Sequence, residues 1–459
     1  MVKRIVQCLS LCPPGIYFFL YFVIVAYFTF INGLQGDTLF HLKIGEYIGV
    51  NGIPLKDPFS WTTYGKSWFA HEWLWDLMIY QLYSWMGYIG IFVLQFFSIG
   101  LIGFCSFLLI KDRLMHFLCF ILLLNTSLTI GFFSLRPQTF VYGLFALLLY
   151  LVSKREKSRK IHYGIPFFLL FLFWANIHSS VIFAVGILMI FFIFKKIPLS
   201  DIFLAVLGSL MNPNGWRLYI YASVVGNSSK TVDRITEWFS PDFHYLPTLF
   251  IFLFILLFLV ITTINLVKNK RIILHLFLFF ITISLYLKSF RHLPFLLIMA
   301  LYAGVDTHKI NKGIQMIVII TIMAVSLFSA APFTMEKLSK PDLSTDFPVK
   351  AVAFMKKNGY TDHIMNDYYY GDYLIYVDIK TFVDGRGDLF VMENPVLWED
   401  YFDFTGLKTE KPEEILKKYN IKYVLFPKKN SCIKYLRQLT SIEVLYEDSK
   451  DIVLRFTNE

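Results

Sequence analysis

Charge is scarce in this chain of 459 residues: Asp, Glu, Lys and Arg together make up 17% of it, against about 25% in soluble domains. Cysteine is scarcer still. The five present, Cys8, Cys12, Cys105, Cys119 and Cys432, form no CxxC pair and no Cys/His cluster. That excludes a disulfide scaffold, a redox framework and a zinc-finger-type site. No GxxxxGK[ST] loop and no GxGxxG occurs, so the phosphate cradle of an ATP-driven pump is missing. Heptads and low-complexity tracts are absent, as are repeats of roughly 20–50 residues, which removes coiled coils, disordered tails and solenoids.

Apolar and aromatic residues are abundant instead: 56% hydrophobic and 19% aromatic, with a mean hydropathy of +0.57. This composition points to a membrane. The formal charge of +10 is unevenly placed, with 25 Lys/Arg against 12 Asp/Glu up to Pro332 and 18 against 21 from Phe333 onward. A basic membrane domain over 1–332 and a mildly acidic domain over 333–459 follow. The basic residues punctuate apolar spans without forming a stripe, so nucleic acid is not a partner.

A membrane span needs roughly 17–25 apolar residues. Candidates are Gly15–Ile31, Tyr88–Ile110, Leu114–Phe133, Gln138–Val152, Leu246–Val267, Ile272–Leu287 and Ile314–Ala331, with shorter ones at Ser200–Met211 and His292–Val305. Tyr163–Phe194 lies between two basic clusters, Lys154–Lys160 and Lys195–Lys196. Keeping both clusters in the cytoplasm makes this stretch cross twice, with its turn at Asn176–Ser180. The expectation is a mostly α polytopic protein of the inner or plasma membrane with about eleven spans. Its N-terminus is cytoplasmic, and a small α/β domain lies outside.

In this topology the uncommon residues collect on the outer side. A long first loop over 32–87 carries Asp37, His41, Asp57, His71, Glu72 and Trp73. Asp37 and His41 share a helical face if Asp37–Val50 is helical, and His71–Tyr83 has the spacing of an interfacial amphipathic helix. Other outer ends carry Arg136, Asn176, His178, Asn212, Glu237 and Arg291. Ionisable groups beside a bilayer are costly and point to function. The set suits transfer of a sugar from a lipid phosphate. Asp37, with His41 and Glu72, takes the catalytic role, a carboxylate deprotonating the acceptor hydroxyl. Arg136, His178 and Arg291 hold the lipid phosphate, the leaving group. Asp57, His71, Trp73, Glu237, Asp384 and Arg386 contact substrate or acceptor. The spacing leaves a divalent metal ion open without forming a recognised metal signature.

The series Asp37-x3-His41-x3-Gly45, Asp57-Pro58-Phe59-Ser60, His71-Glu72-Trp73, Arg136-Pro137-Gln138, Asn176-x-His178, Asn212-Pro213-x-Gly215-Trp216 and Asp384-Gly385-Arg386 resembles bacterial membrane proteins of the GT-C glycosyltransferase superfamily. The resemblance covers nearly the whole chain. It implies a polyprenyl-phosphate sugar donor, a glycan, lipid or protein acceptor, and Asp37 as the first-loop catalytic carboxylate. Many members carry two adjacent acidic residues there; this chain has Asp37-Thr38.

The outer domain reads as strands alternating with helices: helix Val349–Asn358, strands His363–Asn366 and Thr381–Asp384, helix Pro412–Tyr419, strand Lys422–Phe426, helix Ile433–Leu439 and a hairpin of Ile442–Leu445 with Ile452–Phe456. Asp367, Tyr368–Tyr370, Asp384, Arg386 and Asp388 could line a sugar or acceptor cleft; alternatively Asp384 and Arg386 form a structural ion pair. Two other functions compete with the enzyme. A flippase of lipid-linked glycans wants internal repeats and polar residues at full membrane depth. A non-catalytic envelope assembly protein leaves the outer polar set unexplained.

Overall fold

A computed structural model of the chain describes residues 25–26, 36–109, 134–157, 164–228, 234–235, 238–246, 248–249, 251–253, 255–256, 260, 272–303, 346–408 and 411–457. In chain order come α1 (Gly36–Asn51), α2 (Trp73–Met86), α3 (Tyr88–Leu109), α4 (Pro137–Lys157), α5 (Gly164–Ile177), α6 (Val181–Ile193), α7 (Leu199–Leu210), α8 (Arg217–Asn227), α9 (Ile272–Lys288) and α10 (Leu293–Ala303). They are followed by α11 (Val349–Asn358), β1 (Ile364–Asn366), α12 (Tyr368–Tyr376), α13 (Gly387–Glu393), α14 (Pro395–Thr405), α15 (Pro412–Lys418), β2 (Tyr423–Pro427), α16 (Ser431–Leu436), β3 (Ile442–Glu447) and β4 (Asp451–Phe456). The chain forms two compact units, one of Met1–Gly33, Met86–Ala222 and Thr236–Ser339, the other of Leu34–Trp85, Ser223–Ile235 and Lys340–Glu459.

The first unit is helical. Its α3 is long and apolar enough to cross a membrane alone, 22 residues with mean hydropathy 2.2. One face buries Ile91, Leu94, Ile99 and Ile102, while Ile89, Val93, Phe97 and Phe104 stay exposed. The stretch 163–194 forms two helices, α5 and α6, that break at His178–Ser180, where the polar turn was expected. Both are short, at 14 and 13 residues. Helices α5 and α7 touch at Gly208, where a Cβ would meet the Phe168 carbonyl at 2.3 Å; a small residue there lets the backbones approach. The ends of α4 and α7 are tied by a buried ion pair, Arg155 Nε donating to Asp201 Oδ2 at 2.6 Å. The expected spans at 114–133 and 314–331, and most of 15–31, lie outside the described residues.

The second unit is α/β. Its sheet has the order β1-β2-β4-β3, with β1 and β2 parallel and the other pairs antiparallel. Alternate residues serve opposite faces. Val424, Phe426, Ile452 and Leu454 enter one core with Trp398 and Phe404; Leu425 and Val453 enter another with Val352, Met355 and Leu374. The sheet is thus covered on both sides, which suits a largely apolar strand set.

Two expectations change here. The first loop, placed by sequence with the membrane part, belongs to the α/β unit, because α1 buries Leu39, Phe40, Ile44 and Ile48 there. Thr381–Asp384 is not a strand of the sheet; Thr381 forms an isolated parallel bridge with Ser60 and the residues after it bend. Its backbone partners are the first loop, through Trp61 N to Thr381 O at 3.0 Å and Thr381 N to Phe59 O at 3.3 Å. The Asn366 side chain satisfies Phe382 N and Val383 O.

Candidate functional site

The motif Asp37-x3-His41-x3-Gly45 lies along one face of α1, and each member does something different. At Gly45 a Cβ would sit 2.0 Å from the Asp76 carbonyl and 2.5 Å from Tyr80 Cβ. Only glycine lets α1 meet α2 so closely. One turn earlier, His41 Nδ1 shares a 2.5 Å hydrogen bond with Asp76 Oδ1, and both side chains are buried. His41, expected among the catalytic groups, is buried and joins the two helices through this bond. Asp37 lies another turn back, half-buried in the first turn of α1, where the helix dipole favours a carboxylate.

Glu72 stands in the turn leading into α2. Burial raises Glu72 to about 7; His71 opposes this, while Asp76, Asp388 and Asp37 add to it. The His71 and Glu72 side chains remain 14% and 16% exposed, with Nε2 and Oε1 3.6 Å apart. Asp76 is itself pushed well above the carboxylate range by burial. Of the expected site residues, the structure places His71 and Glu72 side by side in this turn. Sequence reasoning did not single out Asp76, although it is a lone carboxylate in an apolar helix, one turn from Glu72. Among the described residues no three His, Cys, Asp or Glu side chains gather as a metal ion would require.

Asp57, Asp384 and Arg386 make a different arrangement. Arg386 donates from Nη1 to Asp57 Oδ1 at 2.6 Å, from Nε to Asp384 Oδ1 at 2.8 Å and from Nη2 to Asp384 Oδ2 at 2.7 Å. Its guanidinium also lies over the Trp68 and Phe59 rings, 4.8 and 5.3 Å from their centroids. Asp57 further accepts from Ser60 Oγ, from Thr63 Oγ1 at 2.8 Å and from Phe59 N at 2.9 Å. Burial alone would raise Asp57, but the Arg386 charge and these hydrogen bonds outweigh it and hold the carboxyl low. All three side chains are at most 3% exposed. Expected to contact substrate or acceptor, the three hydrogen-bond one another and join the first loop to the Asp384–Arg386 segment within the α/β unit. Trp73 packs beside Phe40 and Leu389. Asp367 caps α12, accepting from Tyr369 N at 3.0 Å.

In the helical unit, the start of α4 collects the other candidates. Gln138 Nε2 lies 3.2 Å from His178 Nε2, and Ser180 N donates to His178 Nδ1 at 3.0 Å. One turn along α4, Tyr142 donates to the Arg291 carbonyl at 3.4 Å. The Arg291 guanidinium stands 4.3 Å from the Trp238 ring centroid. Arg136 immediately precedes α4. Asn176 bonds the Met211 carbonyl at 2.9 Å, and Asn212 closes its own turn onto Ser209, Asn214 and Gly215. Glu237 lies outside the described residues.

No family model matches the chain, and no curated protein matches it in sequence. Solved structures do match in fold. The archaeal oligosaccharyltransferase AglB from Archaeoglobus fulgidus, in complex with an inhibitory peptide and a dolichol-phosphate, superposes with a TM-score of 0.54 at 11% identity, over 89% of this chain and 69% of that one. The apo oligosaccharyltransferase of the same organism gives 0.53 at 10% identity, with the same coverage. ArnT from Cupriavidus metallidurans, bound to undecaprenyl phosphate, gives 0.49 at 10% identity, over 96% of this chain and 98% of that one. At such identity the likeness to the oligosaccharyltransferase structures is one of fold, in keeping with the fold that the sequence motifs led us to expect.

Proposed function

We propose that the chain transfers a sugar from a polyprenyl-phosphate donor to an acceptor hydroxyl at the extracytoplasmic face of the membrane. The observation that carries this reading is Glu72 in the α/β unit, a carboxyl raised to about 7 by burial and by the charges of Asp76, Asp388 and Asp37. A carboxyl poised near the working pH is suited to proton transfer. Asp37 takes the acceptor hydroxyl proton as the acceptor oxygen bonds to the anomeric carbon. The bond from that carbon to the phosphate oxygen breaks, and polyprenyl phosphate leaves with the electron pair. Glu72 receives the proton onward. Arg136, His178 and Arg291, with Trp238 under the last, are the groups of the helical unit for the lipid phosphate. Support comes from the fold shared with an oligosaccharyltransferase solved with dolichol-phosphate.

The test is release of polyprenyl phosphate from a panel of polyprenyl-phosphate sugars by the purified protein in lipid, with Asp37→Asn alongside. Turnover by the parent and its loss in a folded Asp37→Asn agree with the reading. Lipid binding without turnover in either would contradict it and favour a carrier of lipid-linked glycans.

A further inference from the structure

We propose that Asp76 is the pin that sets α2 across α1, a positioning residue that directs the starts of both helices, with Asp37 in the first turn of one and Glu72 in the turn that opens the other. This rests on the reading of Asp37 and Glu72 given above and adds to it the residue that orients their segments.

Three parts of Asp76 meet three different neighbours. Its backbone N donates to Glu72 O at 3.0 Å, in the turn that opens α2. Its carbonyl faces Gly45 so closely that a Cβ there would come within 2.0 Å. Its carboxyl bonds His41 Nδ1 at 2.5 Å, and both residues are 2% exposed. Tyr80, one turn on, closes the same contact. Its Cβ lies 2.5 Å from where a Cβ on Gly45 would stand, and its ring 3.7 Å from where one on Gly49 would. The residues that meet are therefore 41, 45 and 49 on α1 and 76 and 80 on α2. Rows spaced by four on both helices are the ridges by which two helices cross. Both rows advance in the same direction, and one step back along them stand Asp37 and Glu72.

Glycine lets the two backbones touch, but apolar contact has no direction of its own. A hydrogen bond between two side chains has a length and an angle, and a buried partner left unpaired is costly. Asp76 stands between the buried Trp75 and Ile79 on the apolar face of α2. A carboxyl there selects one crossing among those that apolar packing would allow. It touches no substrate in this reading and acts through His41 and the Glu72 backbone.

The experiment measures kcat and KM for polyprenyl-phosphate release in lipid by the wild-type protein, Asp76→Asn and the double variant His41→Phe/Asp76→Leu. Burial already pushes the Asp76 carboxyl well above the carboxylate range, so the neutral amide of Asn is a close substitute that still bonds Nδ1. The double variant removes both polar partners together and leaves no buried group unpaired, so its unfolding midpoint is expected at or above that of the wild type. Asp76→Asn should keep kcat within about threefold of wild type and the double variant should lower it about 10²-fold, the cost of a misplacement of about 1 Å, with KM little changed in either. A folded double variant with wild-type kcat overturns the proposal, as does an Asp76→Asn that loses as much as the double variant. His41→Leu/Asp76→Ala replaces the double variant if that one does not fold. Should the wild type transfer no sugar, the functional reading fails by itself. Dipolar EPR between spin labels at Asn51 and Ser84, exposed positions of α1 and α2, then still decides the placement. A distance distribution displaced or broadened in the double variant alone is expected, and one common to all three proteins overturns the inference.

Discussion

Two groups of buried charge lie in the same α/β unit and behave in opposite ways. Around Arg386, two aspartates face one guanidinium that spends its donors on them, and Asp57 stays ionised despite burial. Around Glu72, burial together with the charges of Asp76, Asp388 and Asp37 outweighs that of His71, and the carboxyl rises to about 7. Burial is common to both; the direction in which the neighbouring charges act is not. A compensated charge is held in one state and serves architecture, while an under-compensated one sits near a change of state and can move protons.

The comparison breaks most sharply at its compensated end. Arg386→Met leaves Asp57 and Asp384 buried without their cation, which costs about 3–5 kcal/mol. Thermal unfolding of the purified protein in lipid checks this, and an unchanged midpoint would remove the clamp from the account. Asp37→Asn, at the other end, should lower turnover by about 10²–10⁴-fold, the usual scale for a general base, with the unfolding midpoint preserved.

Glu72→Gln gives an effect of opposite sign. The folded protein holds the Glu72 proton more tightly than the unfolded chain, so this group's penalty is absent at low pH. It grows as pH rises from the ordinary carboxylate value through 7. The amide should therefore stabilise the protein by up to about 3 kcal/mol at pH 8 and by little at pH 4.5, a difference that paired melts at the two pH values resolve. The smallest effect is expected in the helical unit. Arg136→Ala should weaken polyprenyl-phosphate binding about tenfold, read by titration with the lipid in nanodiscs, and leave the pH profile of turnover in place.

Much of this was legible in the sequence wherever one residue type answers to one local rule. The spacing Asp37-x3-His41-x3-Gly45 marked a helical face, and Val349–Asn358 and the terminal hairpin follow from periodicity alone. Tertiary partners hid the rest. Thr381–Asp384 has the composition of a strand, yet its hydrogen bonds go to the first loop and to Asn366. Tyr368–Tyr376 is rich in a residue that favours strands, but Asp367 caps it as a helix. Asp76 and Asp372 escaped notice because an aspartate inside a helix shows its meaning only once the group it meets is known: His41 for one, the Gly385 backbone for the other.

The most direct measurement is the titration of the Glu72 carboxyl in the intact protein, by difference infrared spectroscopy with ¹³C-labelled glutamate and Glu72→Gln to assign the band. A midpoint near 7 that disappears in the Gln variant is the result predicted here. A midpoint near the ordinary glutamate value of about 4.3 would contradict the account, because the carboxylates around Glu72 would then be as well compensated as those around Arg386.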